Sequence, residues 1–138
     1  MSDTHDVVNR LVAAVNAHDL DALAGCFGPG YVNHTPAHPL RGFRGRGQVR
    51  RNWAAIFAGV PDIAARVTAN AADGERVFTE WEMSGTRRDG TPHAMAGVII
   101  FSIRGDQIVS ARFYLEPVES ASGDVNAAIA QLTTGPTS

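Results

Sequence analysis

Apolar residues recur at Val7, Val8, Leu11, Val12 and Val15, the one-sided stripe of an amphipathic helix. Ser2 or Asp3 can cap it, and His18-Asp19 ends it. Asp19 can cap a short second helix carrying Leu20, Leu23 and Phe27, which Gly28-Pro29-Gly30 stops. Residues 31–34 read as a brief strand and 35–47, rich in proline and glycine, as a loop. A third helix is predicted over about 48–58, with Val49, Trp53, Ile56 and Phe57 on its buried side. Beyond Pro61-Asp62 the period falls to two. Four strands follow, near 63–71, 76–87, 93–103 and 107–116, separated by turn signals at Asp73-Gly74, Asp89-Gly90 and Gly105-Asp106. Helices first and an antiparallel meander afterwards predict an α+β domain, not βαβ units. That domain is expected to span 1–118, and 119–138 to form a tail with a short docked helix at 124–132 and mobile residues after it.

The strand at 76–86 carries the first chemical signal. Val77, Thr79, Trp81 and Met83 point one way, and Phe78, Glu80, Glu82, Ser84 and Thr86 the other. The next strand is apolar on both faces, with Ala94, Ala96, Val98 and Ile100 on one and Met95, Ile99 and Phe101 on the other. If the two pair across Asp89-Gly90, the glutamates lie on a covered face, where an unpaired carboxylate costs several kcal/mol, so a functional use is expected. In the last strand Val109, Ala111, Phe113 and Leu115 form an apolar face, opposite Ser110, Arg112, Tyr114 and Glu116. The polar faces are expected to converge on one cavity holding Glu80, Glu82, Arg112, Tyr114 and Glu116. There, one carboxylate is raised in pKa to donate a proton and another is held ionised by Arg112 to accept one. The alternative is a salt-bridged, solvated sheet face.

At 138 residues, 44% apolar and with a net charge of -2, the chain is one domain with no bulk attraction to nucleic acid or anionic membrane. The single Cys26 rules out an internal disulfide and reads as an inert buried thiol. The polar amino terminus is unlike a signal peptide, and no apolar run is long enough to span a bilayer; a cytoplasmic location is expected. His34 and His38 fall short of a catalytic zinc's three protein ligands, so no metal and no cofactor are expected. His93 opens a strand beside a turn and reads as structural. Arg41, Arg44, Arg46, Arg50 and Arg51 surround a helix amino terminus, where a phosphate or carboxylate could sit, although a solvated surface is the plainer reading.

Four motifs carry a family likeness: Val32-Asn33-His34-Thr35-Pro36, Arg44-Gly45-Arg46-Gly47, Val60-Pro61-Asp62 and Gly105-Asp106-Gln107-Ile108-Val109. With the order of elements they resemble the nuclear transport factor 2-like superfamily and, within it, SnoaL-like (polyketide cyclase-like) proteins. The resemblance implies a cone-shaped, curved antiparallel sheet wrapped around the amino-terminal helices, a cystatin-like α+β barrel. It implies a cofactor-independent cyclase or isomerase acting on a small apolar or polycyclic metabolite, with Glu116 at the family's acid position and His34 at the cavity mouth. Tyr31-Val32-Asn33 also resembles the Tyr-x-Asn motif of limonene-1,2-epoxide hydrolases, which implies water positioning by Tyr31 and Asn33, with Glu82 and Glu116 as the two acids. Those hydrolases carry Arg where this chain has Glu80. The cavity wall is expected from Trp53, Phe57, Phe78 and Met95. A homodimer through the sheet face, using Val98, Ile100, Trp81 and Met83, is the competing non-catalytic expectation, alongside binding of a small ligand.

Overall fold

The computed structural model describes residues 4–121 and 123–134. Helix α1 (Thr4–Ala17) leads through His18 to α2 (Leu20–Gly25), which Asp19 caps by accepting a hydrogen bond from the Ala22 amide. The proposed Ser2/Asp3 cap of α1 lies outside the described residues. Strand β1 (Phe27–His34) starts at Phe27 rather than after Gly30, so Phe27 is the first strand residue instead of the last helical one. Gly28-Pro29-Gly30 is absorbed as an irregular stretch in its pairing with β6, where a proline's missing N–H is tolerated. The loop expected at 35–47 contains a 3-10 turn (Pro39–Arg41) and a two-residue strand β2 (Phe43–Arg44). Helix α3 (Arg46–Gly59) precedes the meander β3 (Ala64–Asp73), β4 (Arg76–Thr86), β5 (Pro92–Arg104) and β6 (Gln107–Pro117), and α4 (Val125–Thr133) follows it. No helix among the described residues is long and apolar enough to cross a membrane.

The six strands form one curved, unclosed sheet in the order β2-β1-β6-β5-β4-β3. Four neighbouring pairs are antiparallel, but β1 and β6 run parallel, a departure from the wholly antiparallel sheet expected. Val7, Val8, Leu11, Ala14 and Val15 of α1 pack into the concave side against Val77, Trp81, Ile99, Phe101 and Ile103. Asn16 fixes the helix to the sheet by donating to the Ala65 carbonyl at 2.9 Å and accepting from the Ala65 amide at 2.7 Å. In the core, Trp81 donates from Nε1 to Thr79 Oγ1, which donates to the Ile99 carbonyl, so this buried hydroxyl is satisfied in both directions.

The direction of β4 overturns one expectation. Val77, Thr79, Trp81 and Met83 are the buried set, and Glu80 and Glu82 are exposed on the convex face. Trp81 and Met83 are therefore core residues, unavailable to a contact through the outer sheet face. Strand β5 is apolar on both sides, but its convex residues are mostly small, and Ala94 and Ala96 remain exposed. The bulky side chains take the face that meets α1, where more apolar area leaves water. The tail helix forms as expected, with Asp124 capping the Ala127 amide, but it does not dock: Val125, Ile129 and Leu132 are 70%, 53% and 78% exposed. The residues expected to be mobile after it lie partly outside the described residues.

Candidate functional site

A cavity of about 310 Å³ opens on the concave side of the sheet. Its lining comes from Asn33 and Thr35 at the end of β1, Arg41 and Phe43 in the stretch that holds the 3-10 turn and β2, Asn52, Trp53 and Ile56 on α3, Met83 on β4, His93 and Met95 on β5, and Phe113 and Leu115 on β6. Ile63 completes the wall. Helical spacing brings Asn52 and Ile56 to one face of α3, and strand alternation puts His93 beside Met95. Below it, a void of about 20 Å³ among Leu11, Val15, Phe27, Trp81 and Phe101 shares Trp53, Met83 and Phe113 with the cavity. Its walls are apolar, and its polar groups are few.

Hydrogen bonds set which way those polar groups face. Buried Tyr31 donates its hydroxyl to Asn33 Oδ1 at 2.7 Å, and burial pushes the phenol pKa far up, so it stays a neutral donor. The Asn33 oxygen is thereby engaged, and its Nδ2 donates to Thr35 Oγ1 at 3.3 Å with a second N–H to spare. Likewise Gln48 donates to Asn52 Oδ1 at 2.7 Å, which leaves the Asn52 Nδ2 as a donor. His93 has its pKa lowered, first by desolvation and then by the Arg87 guanidinium, whose Nη2 lies 3.4 Å from His93 Nδ1. The charged imidazolium is thus disfavoured, and because a guanidinium only donates, Nδ1 is the acceptor of this long contact and Nε2 carries the neutral ring's proton.

The expected acids are elsewhere. Glu82 lies on the convex face and pairs with Arg66, which donates from Nε and Nη2 to its Oε2 at 3.0 and 2.6 Å. Glu80 accepts from Thr68 on the same face. Glu116 lies two strands away on that face, opposite Ala96, and its Oε1 is 2.8 Å from His38 Nε2. Arg112 donates to the Tyr114 hydroxyl at 3.1 Å, and both are exposed. His34 is also exposed, registered beside Arg112 at a shallow groove outside the cone. The convergence of Glu80, Glu82, Arg112, Tyr114 and Glu116 on the cavity is therefore corrected. They converge on the outside of the sheet, where the salt-bridged, solvated reading holds. Of the expected wall, Trp53 and Met95 line the cavity. Phe78 lies on the outer face beneath Arg76, and Phe57 stacks on His18, with ring centroids 4.8 Å apart. No cluster of His, Cys, Asp or Glu among the described residues could hold a metal ion.

The SnoaL-like domain model matches residues 8–111, most of the chain. The chain belongs to the SnoaL-like family. No curated protein matches its sequence significantly. Among solved structures, IdmH from Streptomyces antibioticus, provisionally named a polyketide cyclase, is 24% identical at a TM-score of 0.72, covering 83% of this chain and 92% of IdmH. A Catenulispora acidiphila protein of ketosteroid isomerase-like fold, solved with trimethylamine, is 23% identical at 0.70, covering 81% and 87%. An LEH-like epoxide hydrolase from M. tuberculosis is 17% identical at 0.70, covering 82% of each chain. These likenesses establish the fold. In this SnoaL-like chain the cavity carries donors and an imidazole, and no carboxylate is part of its lining. Sequence reasoning gave no site role to Asn52 or Thr35 and read His93 as structural. The signal for His93 was present in the alternation through Met95, Gly97, Ile99 and Phe101, which places it on the concave side.

Proposed function

We propose that the chain takes a small, largely apolar, carbonyl-bearing molecule into the cone and carries out cofactor-independent proton transfer on it, of cyclase or isomerase type. The observation that carries this reading is the open apolar cavity of about 310 Å³ with its polar groups gathered from β1, the following loop, α3 and β5. Its size equals roughly ten water molecules at ~30 Å³ each, which suits a one- or two-ring ligand. His93, half-buried and with its charged form disfavoured, is the base that removes a proton from the carbon next to the carbonyl, taking it on Nδ1 in place of the long Arg87 contact. The amide donors of Asn33 and Asn52 stabilise the enolate oxygen that results. The proton then returns to another carbon, or the enolate carbon attacks a second carbonyl to close a ring. Tyr31 is a positioning residue, acting through Asn33. Epoxide opening by carboxylate-activated water has no support in a lining without carboxylates, although Tyr31 and Asn33 do stand together.

The test is exchange of the α-hydrogens of 2-tetralone with D₂O, followed by proton NMR. Exchange above the buffer rate that His93→Gln removes, while the probe still binds, is the expected result. Binding without exchange in the unmodified protein would refute the catalytic role. It would leave the non-catalytic ligand-binding reading, which the lack of a lining carboxylate favours. We also propose self-association through the convex sheet face, with Val98, Ile100 and Tyr114 at its centre; sedimentation as a monomer at micromolar concentration would refute it.

A further inference from the structure

Five arginines crowd the stretch from Arg41 to Arg51, and the fold separates their tasks. Arg46 donates to the Phe27 carbonyl, Arg50 pairs with Asp21, and Arg51 donates to Gln48. Arg44 is exposed and outside the cavity lining, whereas Arg41 is part of it. The Arg41 amide donates to the His38 carbonyl, but its guanidinium has no hydrogen-bond or ion-pair partner among the described residues. The cavity contributes no carboxylate to answer its charge. The amides nearby are polarised in the same sense. Tyr31 engages the oxygen of Asn33 and Gln48 engages the oxygen of Asn52, so both present N–H groups. A lining that holds a guanidinium and two amide donors, with no carboxylate, is complementary to oxygen atoms bearing negative charge.

We infer that the cavity is built for an organic anion: an apolar ring body seated against Trp53 and Met95, with a carboxylate, or a comparably charged phenolate or enolate oxygen, held by Arg41, Asn33 and Asn52. This rests on the ligand-binding reading above and narrows it to a charged ligand class. It also gives the guanidinium a task the sheet-face glutamates do not share, since they are already matched on the outside of the fold by Arg66, Thr68 and His38.

The test uses two ligands of nearly equal shape, 2-naphthoate and 2-naphthamide, titrated calorimetrically into the full chain and into Arg41→Gln and Arg44→Gln. Arg41 is exposed and its guanidinium is unpaired, so its replacement leaves folding intact; circular dichroism checks this. The naphthoate is expected to bind about tenfold or more tightly than the amide, the effect of one charge-assisted hydrogen bond. Arg41→Gln should bring the two within about threefold of each other. Arg44→Gln, which removes the same charge from outside the cavity, should keep the preference. Equal binding of acid and amide, or a preference that survives Arg41→Gln or disappears in Arg44→Gln, overturns the anion assignment and leaves the pocket reading standing. Failure of both ligands to bind overturns both.

Discussion

Replacing Gly97 with Ala is predicted to be the most damaging single-methyl change in the sheet. Gly97 has φ +149, a region L side chains rarely adopt, and its strand partners are Trp81 on β4 and Leu115 on β6. A Cβ there would lie 2.1 Å from the Tyr114 carbonyl oxygen and 2.9 Å from the Leu115 Cα. Both are backbone atoms, so no rotamer change relieves the overlap. Strain at such a backbone costs roughly 1–3 kcal/mol. Separating β5 from β6 by enough to admit the methyl forfeits one or two ladder hydrogen bonds at about 1 kcal/mol each. The total, about 2–5 kcal/mol, is a large part of the ~5–15 kcal/mol that holds a domain folded. The melting temperature should fall by on the order of 5–20 °C. Urea unfolding followed by circular dichroism measures this. Gly25→Ala is the matched control, because nothing lies within 4 Å of its added methyl at the end of α2; it should be neutral or stabilising by up to ~1 kcal/mol. Gly97→Ala within about 0.5 kcal/mol of the unmodified protein would refute the reasoning, since it would mean the β5–β6 contact yields without cost. Because Gly97 follows Met95 on the concave face, the same substitution should also weaken ligand uptake in any protein that folds.

Four further outcomes are expected. Glu116→Gln and Glu82→Gln should each change stability by no more than about 1 kcal/mol and leave ligand binding unaltered, because both ion pairs are substantially exposed and screened; loss of calorimetric binding in either would return these carboxylates to the site. Tyr31→Phe should cost roughly 1–3 kcal/mol by urea unfolding, since it leaves the Asn33 oxygen buried without its 2.7 Å donor. Burial and Arg87 depress the His93 pKa below its ordinary value of about 6.5, so the unfolded chain takes up this proton at a higher pH than the folded one. Its contribution to stability is therefore complete above about 6.5 and declines as pH falls from there through the folded-state pKa; His93→Gln should flatten that part of the stability profile, and an unchanged slope would contradict the assignment. Ending the chain after Glu119 should leave the melting temperature within a degree or two on the scale of ~2–8 °C per kcal/mol, because α4 presents Val125, Ile129 and Leu132 to solvent; a larger drop would mean that the helix is docked.

The elements of this protein were written locally. The stripe from Val7 to Val15, the Asp19 cap and the three Gly-containing turns after Asp73 are each readable within a few residues, and together they predicted the helices, the meander and the family. Alternation likewise established which side chains share a face: Glu80 with Glu82, Arg112 with Glu116, His93 with Met95. What period two cannot state is which of two faces meets the core, since the pattern is unchanged when the strand is turned over. That choice came from packing. The concave side took Trp81, Met83, Ile99 and Phe101 against the α1 stripe, and the glutamates were left outside, where Arg66 and His38 meet them. The double-sided apolar character of β5 hid this choice, because either side would have served as a core face by composition alone. The parallel pairing of β1 with β6 joins residues nearly eighty positions apart, as in Asn33 with Ala111, and no local signal encodes it. Yet that pairing puts Tyr31 and Asn33 on the same concave surface as Phe113 and Leu115. The cavity exists only after β1, the loop bearing Arg41, α3 and the meander have closed around one space. Residue types and their phase along each element are properties of the sequence. The meeting of a guanidinium, two amides and an imidazole over an apolar floor is a property of the tertiary fold.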